Sequence, residues 1–223
     1  MWLFLHGFLG QKEDWDPLLS HLPSSIKAKA IDLPGHGELP MVEDLAEEVA
    51  TKQKNASVIV GYSAGGRLAL EMKARFPKRF GKVMALSTHP GLHSIEEREK
   101  RWKKDLEWAT LLENIPFDEW LRLWYNQPLF ASLKKDPHFP AMLERRKKQN
   151  PEALVQFLLA FSLSKKSPPE LFPDTVFISG ALDLHYAKLY RKLTSSKEIP
   201  DAGHALHIEK PKECAELLIR SAQ

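Results

Sequence analysis

The sequence predicts an α/β fold: a mostly parallel sheet flanked by helices, interrupted once by a long helical insertion. Three observations predict it. Short, wholly apolar runs recur, such as Trp2–Leu5 and the Val83-Met84-Ala85-Leu86 stretch of a strand at 82–87, each emptying into a loop, as strands buried on both faces of a parallel sheet do. Helical stretches separate these runs, so strand and helix alternate. The run at 58–60 meets Gly61-Tyr62-Ser63-Ala64-Gly65-Gly66-Arg67, a Gly-x-Ser-x-Gly turn between a strand and an apolar-periodic helix.

Composition narrows the class. A chain of 223 residues is expected to form one domain, 1–223, with residues 91–166 as a helical insertion within it. The net charge of +3 and the 43% hydrophobic share are ordinary for a soluble globular protein. Basic residues are interspersed with acidic ones, so no nucleic-acid surface is expected. The single cysteine, Cys214, excludes an intramolecular disulfide and should pack in a terminal helix. No apolar stretch is long enough to cross a membrane, and no leader pattern precedes the first strand. The expectation is a cytoplasmic monomer acting on a small molecule, with no membrane insertion, metal or cofactor.

The strand at Trp2–Leu5 stops at His6-Gly7-Phe8-Leu9-Gly10. A His-Gly-x loop here would offer the Phe8 N–H as one half of an oxyanion hole. The plainer alternative is an ordinary loop with His6 satisfied by its neighbours. Residues 14–22 read as a short amphipathic helix and 26–33 as the next strand. Asp32-Leu33-Pro34-Gly35-His36-Gly37 closes that strand, with His36 in a structural role. Residues 42–54 read as a charged surface helix with Leu45 and Val49 inward. Then comes the Ser63 turn. Its flanking glycines let crowded backbones close around the serine and push the hydroxyl over the C-terminal edge of the sheet. The helix behind it aims its first amides and positive dipole end at the same spot.

After His89-Pro90-Gly91 the pattern changes. Residues 94–163 show only helical periodicity, cut by Pro116, Pro128, Pro137, Pro140 and Pro151, and hold four of the six tryptophans. Inserted after the strand ending near Ser87, these helices would form a lid over the active edge of the sheet. The sheet resumes at 175–180, with Asp183 just beyond it. A helix follows at 186–193 and a last strand at 197–199, which empties into Asp201-Ala202-Gly203-His204. Pro211 opens the closing helix.

Three loops at strand ends thus carry Ser63, Asp183 and His204, the chain order of an α/β-hydrolase triad. His204 would hold the Ser63 proton, and Asp183 would fix the His204 tautomer. The amides of Phe8 and Ala64 would meet a developing oxyanion. Asp201 is the competing acid, too close to His204 along the turn. His207 is the competing histidine, in the turn before the last helix.

With these motifs the chain resembles the 2-succinyl-6-hydroxy-2,4-cyclohexadiene-1-carboxylate synthases, α/β-hydrolase-fold lyases of menaquinone biosynthesis. Leu5-His6-Gly7-Phe8, the Asp32–Gly37 turn and the Ser63 turn are shared with many hydrolases. His89-Pro90-Gly91-Leu92, Glu96-x-Arg98-x-x-Arg101 and Trp124-Tyr125-x-Gln127-Pro128-x-Phe130-Ala131-Ser132-Leu133 lie in the insertion and discriminate better. The resemblance covers nearly the whole chain. It departs at the start, where one or two further strands usually precede the one at Trp2, so a shortened sheet edge is expected.

The resemblance implies an elimination without hydrolysis. The substrate, 2-succinyl-5-enolpyruvyl-6-hydroxy-3-cyclohexene-1-carboxylate, loses a ring proton beside the succinyl ketone and expels pyruvate. The serine paired with histidine can serve as the base, and an oxyanion hole suits an enolate oxygen. A polycarboxylate substrate calls for arginines. Arg67 lies one helical turn beyond Ser63, and its side chain leans back toward it. Arg101 and Arg145 match arginines that the family carries in its lid. Tyr62, Trp124 and Phe130 would form the apolar wall. Taken singly, each arginine also fits a solvated surface charge. The fold and triad alone fit a carboxylesterase or C–C bond hydrolase equally well, and a non-enzymatic receptor on this scaffold is a third reading.

Overall fold

A computed structural model describes residues 1–53, 55–166, 173–193 and 195–223. Six strands form one sheet: β1 (Trp2–Leu5), β2 (Ala28–Ile31), β3 (Ala56–Tyr62), β4 (Phe80–Leu86), β5 (Thr175–Gly180) and β6 (Ser196–Ile199). Their order is β2-β1-β3-β4-β5-β6, and every pairing is parallel.

The unbroken apolar runs are explained by burial on both faces. Leu3, Leu5, Ile59, Val83 and Phe177 face one layer, packed on α2 (Leu45–Lys52), α3 (Ala64–Arg75) and α8 (Leu184–Tyr190). Phe4, Val58, Val60, Met84 and Ile178 face the other, packed on α1 (Asp16–Leu19) and α10 (Pro211–Ala222), where Cys214 is buried. Alternation along each strand puts neighbours on opposite faces. Each fully buried Leu or Phe contributes about 1.5–3 kcal/mol. The edge strands read differently: Lys29 on β2 and Ser196, Lys197 and Glu198 on β6 are exposed, the charged edges that discourage pairing with another chain.

Several expected boundaries shift. The helix expected at 14–22 is a 3-10 turn at Lys12–Trp15 followed by the one-turn α1, with Pro17 near its start. The strand at 26–33 shortens, because Ile26 turns back to the Pro23 carbonyl. The helix at 42–54 begins only after the Asp44 side chain caps it by accepting from the Glu47 amide at 3.0 Å; Lys54 lies outside the described residues. The helix expected at 186–193 starts two residues earlier, because Asp183 is its N-cap.

Between β4 and β5 run α4 (Ile95–Asn114), α5 (Phe117–Tyr125), α6 (Phe139–Arg146) and α7 (Pro151–Ala160). Ser94 and Glu97 open α4 with a reciprocal capping box. The insertion has a core of its own, around Leu112, Trp120, Leu121 and Leu154. That core is continuous with Leu9, Ala205 and Ile208 of the body, the last two in and beside α9 (Leu206–Glu209). It therefore packs onto the loops at the C-terminal edge of the sheet. From β1 the chain crosses to β2 on one side, and from β3 to β4 on the other. The loops after β1 and β3 consequently part at a topological switch point, where α/β sheets open a ligand crevice. Among the described residues no helix is long and apolar enough to cross a membrane.

Candidate active site

Ser63 sits between β3 and α3 with φ 51° and ψ −110°, a conformation costing on the order of 1–3 kcal/mol for a residue with a Cβ. Glycine makes the turn possible. A Cβ at Gly61 would strike the Gly65 carbonyl, and one at Gly65 would strike the carbonyls of Leu5 and His6. The Ser63 amide is anchored to the Leu86 carbonyl at 2.8 Å. On the far side of the crevice the β1 loop brings in Phe8. Among the described residues neither the Phe8 nor the Ala64 amide is given to a protein acceptor.

Asp183 ends the loop after β5 and His204 the loop after β6. The His204 Nδ1 lies 2.7 Å from Asp183 Oδ2, with both side chains buried. A carboxylate only accepts, so Nδ1 carries the hydrogen. The other oxygen, Asp183 Oδ1, accepts from the Tyr186 amide at 3.3 Å, so the helix cap and the histidine hold one carboxylate from two directions. Ser63, Ala64, Phe8 and His204 line one cavity of ≈ 170 Å³. The aromatic wall is present: Tyr62 and Phe130 lie 5.4 and 6.1 Å from the His204 ring, and Trp124 lies 5.2 Å from Phe8.

The arginines divide. Arg67 lines the cavity. Its Nη2 donates to the Phe161 carbonyl at 3.2 Å, and its buried Nε has no partner. Burial, and then the nearby Arg101, lower its pKa to about 10. Arg101 also lines the cavity, and its Nε donates at 2.8 Å to Asp105, a buried carboxylate that Ser162 Oγ satisfies from the other side at 2.7 Å. Arg145 is not brought to the cavity. It pairs with Asp14 Oδ1 at 3.0 Å with its side chain 36% exposed. The neighbouring Arg146 takes the place expected of it: 3% exposed, paired with Asp14 Oδ2, lining the cavity, with a buried Nη1 that has no partner. The correction has a helical cause. Met142 and Arg146 are four apart and share the inward stripe of α6, while Arg145 is turned about 100° away. Burial opposes the charge on Asp14, but the Arg146 guanidinium prevails and holds its pKa at about 2.

The alpha/beta hydrolase family model matches residues 2–217. A 2-succinyl-6-hydroxy-2,4-cyclohexadiene-1-carboxylate synthase from Enterobacter sp. (strain 638) is 30% identical over 236 residues, 97% of this chain and 90% of its own length. A putative synthase of the same name from Haemophilus influenzae is 32% identical, over 94% and 92% of the two chains. The chain belongs to this synthase family, within the α/β hydrolases. PHYLLO, a chloroplastic protein of Arabidopsis thaliana, is 30% identical over 94% of this chain, which spans 14% of that protein's length. Solved structures agree on the fold. MenH from S. aureus superposes with TM-score 0.87 at 23% identity, over 99% of this chain and 92% of that one. A thermophilic esterase from Thermogutta terrifontis gives 0.77 at 19%, over 100% and 90%.

Other residues of this family member support the site from behind. His6 Nε2 accepts from the Leu33 amide at 3.0 Å and His36 Nε2 from the Leu9 amide at 3.2 Å. Burial lowers both pKa values, so neutral imidazoles tie the β1 and β2 loops together. Thus His6 is indeed satisfied by its neighbours. His207 is buried between Trp15 and Tyr62, with ring centroids at 4.4 and 4.3 Å, and burial pushes its pKa down to about 3. It does not line the cavity. Asp201 is exposed, with φ 54°, and makes no hydrogen bond to His204 among the described residues.

Sequence reasoning passed over Glu209. Its two oxygens accept from the amides of Gly203 (2.8 Å) and Ala205 (3.1 Å), the residues on either side of His204. The signal available was an acid five residues beyond the histidine and two before Pro211. Asp14 was passed over because nothing local marks an acid whose partners are arginines far along the chain; Asp105 was passed over although it stands four residues after Arg101, a helical pair that the sequence does display. No group of three or more potential metal ligands occurs among the described residues.

Proposed function

We propose that this chain removes a ring proton from 2-succinyl-5-enolpyruvyl-6-hydroxy-3-cyclohexene-1-carboxylate and eliminates pyruvate. The product is 2-succinyl-6-hydroxy-2,4-cyclohexadiene-1-carboxylate, in menaquinone biosynthesis. The single observation that carries the reading is that the Ser63 cavity is also lined by Arg67, Arg101 and Arg146. The two carboxylates among its lining residues, Asp14 and Asp105, already serve Arg146 and Arg101. A site with surplus guanidinium beside its base suits a polyanion and is wasted on a neutral ester. The synthases named above act on that chemistry, and this chain is akin to them over nearly its whole length.

In the reaction, Ser63 Oγ gives its proton to His204 Nε2 and takes the ring proton beside the succinyl carbonyl. Asp183 holds His204 in the tautomer this needs and stabilises the imidazolium. The carbonyl oxygen gathers negative charge as an enolate and meets the amides of Phe8 and Ala64. Collapse of the enolate forms a ring double bond at carbons 2 and 3, moves the existing one to carbons 4 and 5, and breaks the ring carbon–oxygen bond to the enolpyruvyl group. Pyruvate leaves as its enolate and takes up at its methylene carbon the proton held by His204, directly or through water, which restores the proton count. The arginines hold the carboxylates against Tyr62, Trp124 and Phe130. The insertion at 91–166 acts as the lid of a single domain, 1–223, working as a cytoplasmic monomer.

The test is incubation with the enolpyruvyl compound while pyruvate and the conjugated diene are followed, beside a small neutral ester as control. Pyruvate and diene in equal amounts, with slow ester hydrolysis, is the expected outcome. Ester hydrolysis without pyruvate would return the chain to the carboxylesterases, which the likeness to the Thermogutta esterase makes the second reading.

A further inference from the structure

Leu9 directly follows Phe8 and has φ 65°, a left-handed conformation that a leucine keeps only when its surroundings hold it. Both of its peptide groups are held. Its N–H is taken by His36 Nε2 at 3.2 Å. Its carbonyl accepts from Gln149 Nε2 at 3.2 Å, and the same amide nitrogen also donates to the Gly10 carbonyl at 3.2 Å. Gln149 Oε1 in turn accepts from the Gly37 amide at 2.6 Å. These three backbone partners leave one orientation for the side chain, since carbonyls only accept and the Gly37 N–H only donates. Gln149 is 4% exposed and lies between α6 and α7, so it belongs to the insertion. It therefore touches the β1 loop and the β2 turn at once.

We infer that Gln149 is a positioning residue that couples the seating of the insertion to the placement of the Phe8 amide. The β1 loop turns at 7–10, closed by the Gly10 amide on the Gly7 carbonyl at 2.9 Å. The Phe8 N–H shares a peptide plane with the Gly7 carbonyl, which the Gly10 amide holds, and the Gly10 carbonyl is in turn held by Gln149. Three residues before Gln149, on the same side of the insertion, Arg146 lines the cavity and holds Asp14. Asp14 Oδ2 also accepts from the Gln11 amide at 3.1 Å, so the insertion grips the segment after Phe8 at two points. When the insertion seats on substrate through its arginines, the loop that carries the oxyanion donor is fixed by the same movement. The catalytic half of this inference rests on the proposed role of the Phe8 amide.

The experiment uses the full chain with two variants, Gln149→Met and Gln149→Glu. Hydrogen exchange of the segment at 6–11 reads the latch without reference to any reaction. Gln149→Met should speed exchange there about tenfold or more, the signature of a local opening, and leave residues 58–70 unchanged. Unchanged exchange at 6–11 overturns the latch. Turnover of the enolpyruvyl substrate should fall about tenfold to a hundredfold in kcat with KM nearly kept, approaching the loss of one oxyanion donor. Faster exchange with unchanged kcat, or a loss in KM alone, overturns the coupling to the amide. Gln149→Glu keeps the acceptor for Gly37 and loses the donor for Leu9 and Gly10. Protonation restores an O–H donor, and burial beside two carbonyls raises the pKa of that carboxyl. Its activity relative to wild type should therefore climb as pH falls from 8 toward 6. A flat ratio again overturns the inference. If wild type releases no pyruvate, the substrate reading fails by itself. The kcat comparison then moves to p-nitrophenyl acetate, whose tetrahedral intermediate needs the same amide.

Discussion

The loops at the sheet edge and the helices of the insertion hold their functional side chains by different means. At the edge the backbone does the holding. Ser63 is fixed by its own dihedral angles, Asp183 by capping α8, and His204 by Asp183 and by the Glu209 carboxylate on its flanking amides. In and beside the insertion the side chains are long, and buried partners hold them: Asp14 for Arg146, Asp105 for Arg101, the Phe161 carbonyl for Arg67. The difference teaches that the two parts of the proposed reaction are specified separately. Proton transfer depends on backbone geometry, while substrate choice depends on long side chains held by buried partners, one of them 4 residues away and another 132.

The most direct break in that comparison is Ser63→Ala, which removes the base and leaves the arginines. Pyruvate release should fall at least about a hundredfold, the scale of a general base, while binding of the product, followed by fluorescence quenching of the tryptophans, stays near wild type. An unaffected rate would show that the serine is not the base.

Next come the arginines. Arg67→Ala and Arg101→Ala should each cost about 2–5 kcal/mol of substrate interaction, roughly thirtyfold to several thousandfold in kcat/KM. A small neutral ester should feel them little. Arg146 is better probed as Arg146→Lys, since truncation would leave the buried Asp14 with only the part-exposed Arg145 and the Gln11 amide as partners and so disturb the fold as well as the site. The point charge keeps Asp14 company but cannot form the fork, so kcat/KM should still fall by tenfold or more, about 1.4 kcal/mol. Arg145→Ala should stay within about threefold, because a part-exposed ion pair contributes only about 0–1 kcal/mol. A larger loss at Arg145 than at Arg146 would restore the assignment made from sequence alone.

That assignment marks where legibility ended. The parallel sheet was readable because burial on both faces leaves no charged residue in β1 or β5 to confuse the period. Ser63 was readable because its turn needs glycine at both 61 and 65, whether the backbone that a Cβ would strike is the helix start nearby or the β1 loop far off in sequence. Which of two adjacent arginines faces inward was not readable. It depends on how α6 is rotated about its axis, and Asp14 decides that from 132 positions earlier in the chain. Glu209 and Gln149 escaped for the same reason: their partners are backbone amides and carbonyls, which leave no trace in residue type. Element boundaries slipped wherever a cap such as Asp44 or Asp183 set them.

A smaller effect tests the seam between the two regions. His207 lies beneath Tyr62, buried and uncharged, with its pKa at about 3. Its ordinary value is 6.5, so the unfolded chain binds a proton that the folded one refuses. The stability tied to this group is full above about pH 6.5 and is lost as pH falls toward 3, at about 1.4 kcal/mol per pH unit. Urea denaturation between pH 8 and 5 should therefore show wild type weakening below 6.5. His207→Gln should weaken less steeply, by one proton's worth. His36, also lowered by burial, keeps a residual slope in the variant. Identical slopes in the two proteins would mean that His207 titrates normally in the fold.

The last test is at Glu209, where the two means of holding meet: a charged side chain used to fix backbone. Its two oxygens serve two amides separately, at 2.8 and 3.1 Å. Glu209→Gln keeps the shape but can accept through only one oxygen, and it turns an NH₂ toward the other amide. The loop 201–205 then loses one charge-assisted hydrogen bond and gains a repulsion. His204 keeps its bond to Asp183, so the ring should shift by a fraction of an ångström while staying in its tautomer. A displacement of about 1 Å can cost a hundredfold, so a loss on the order of tenfold in kcat is expected here. Because Glu209 does not line the cavity, KM should hold. Steady-state kinetics at neutral pH, beside urea denaturation, would read both. A loss confined to KM, or a kcat that holds while the midpoint of unfolding falls, would mean that Glu209 stabilises the fold without positioning the histidine.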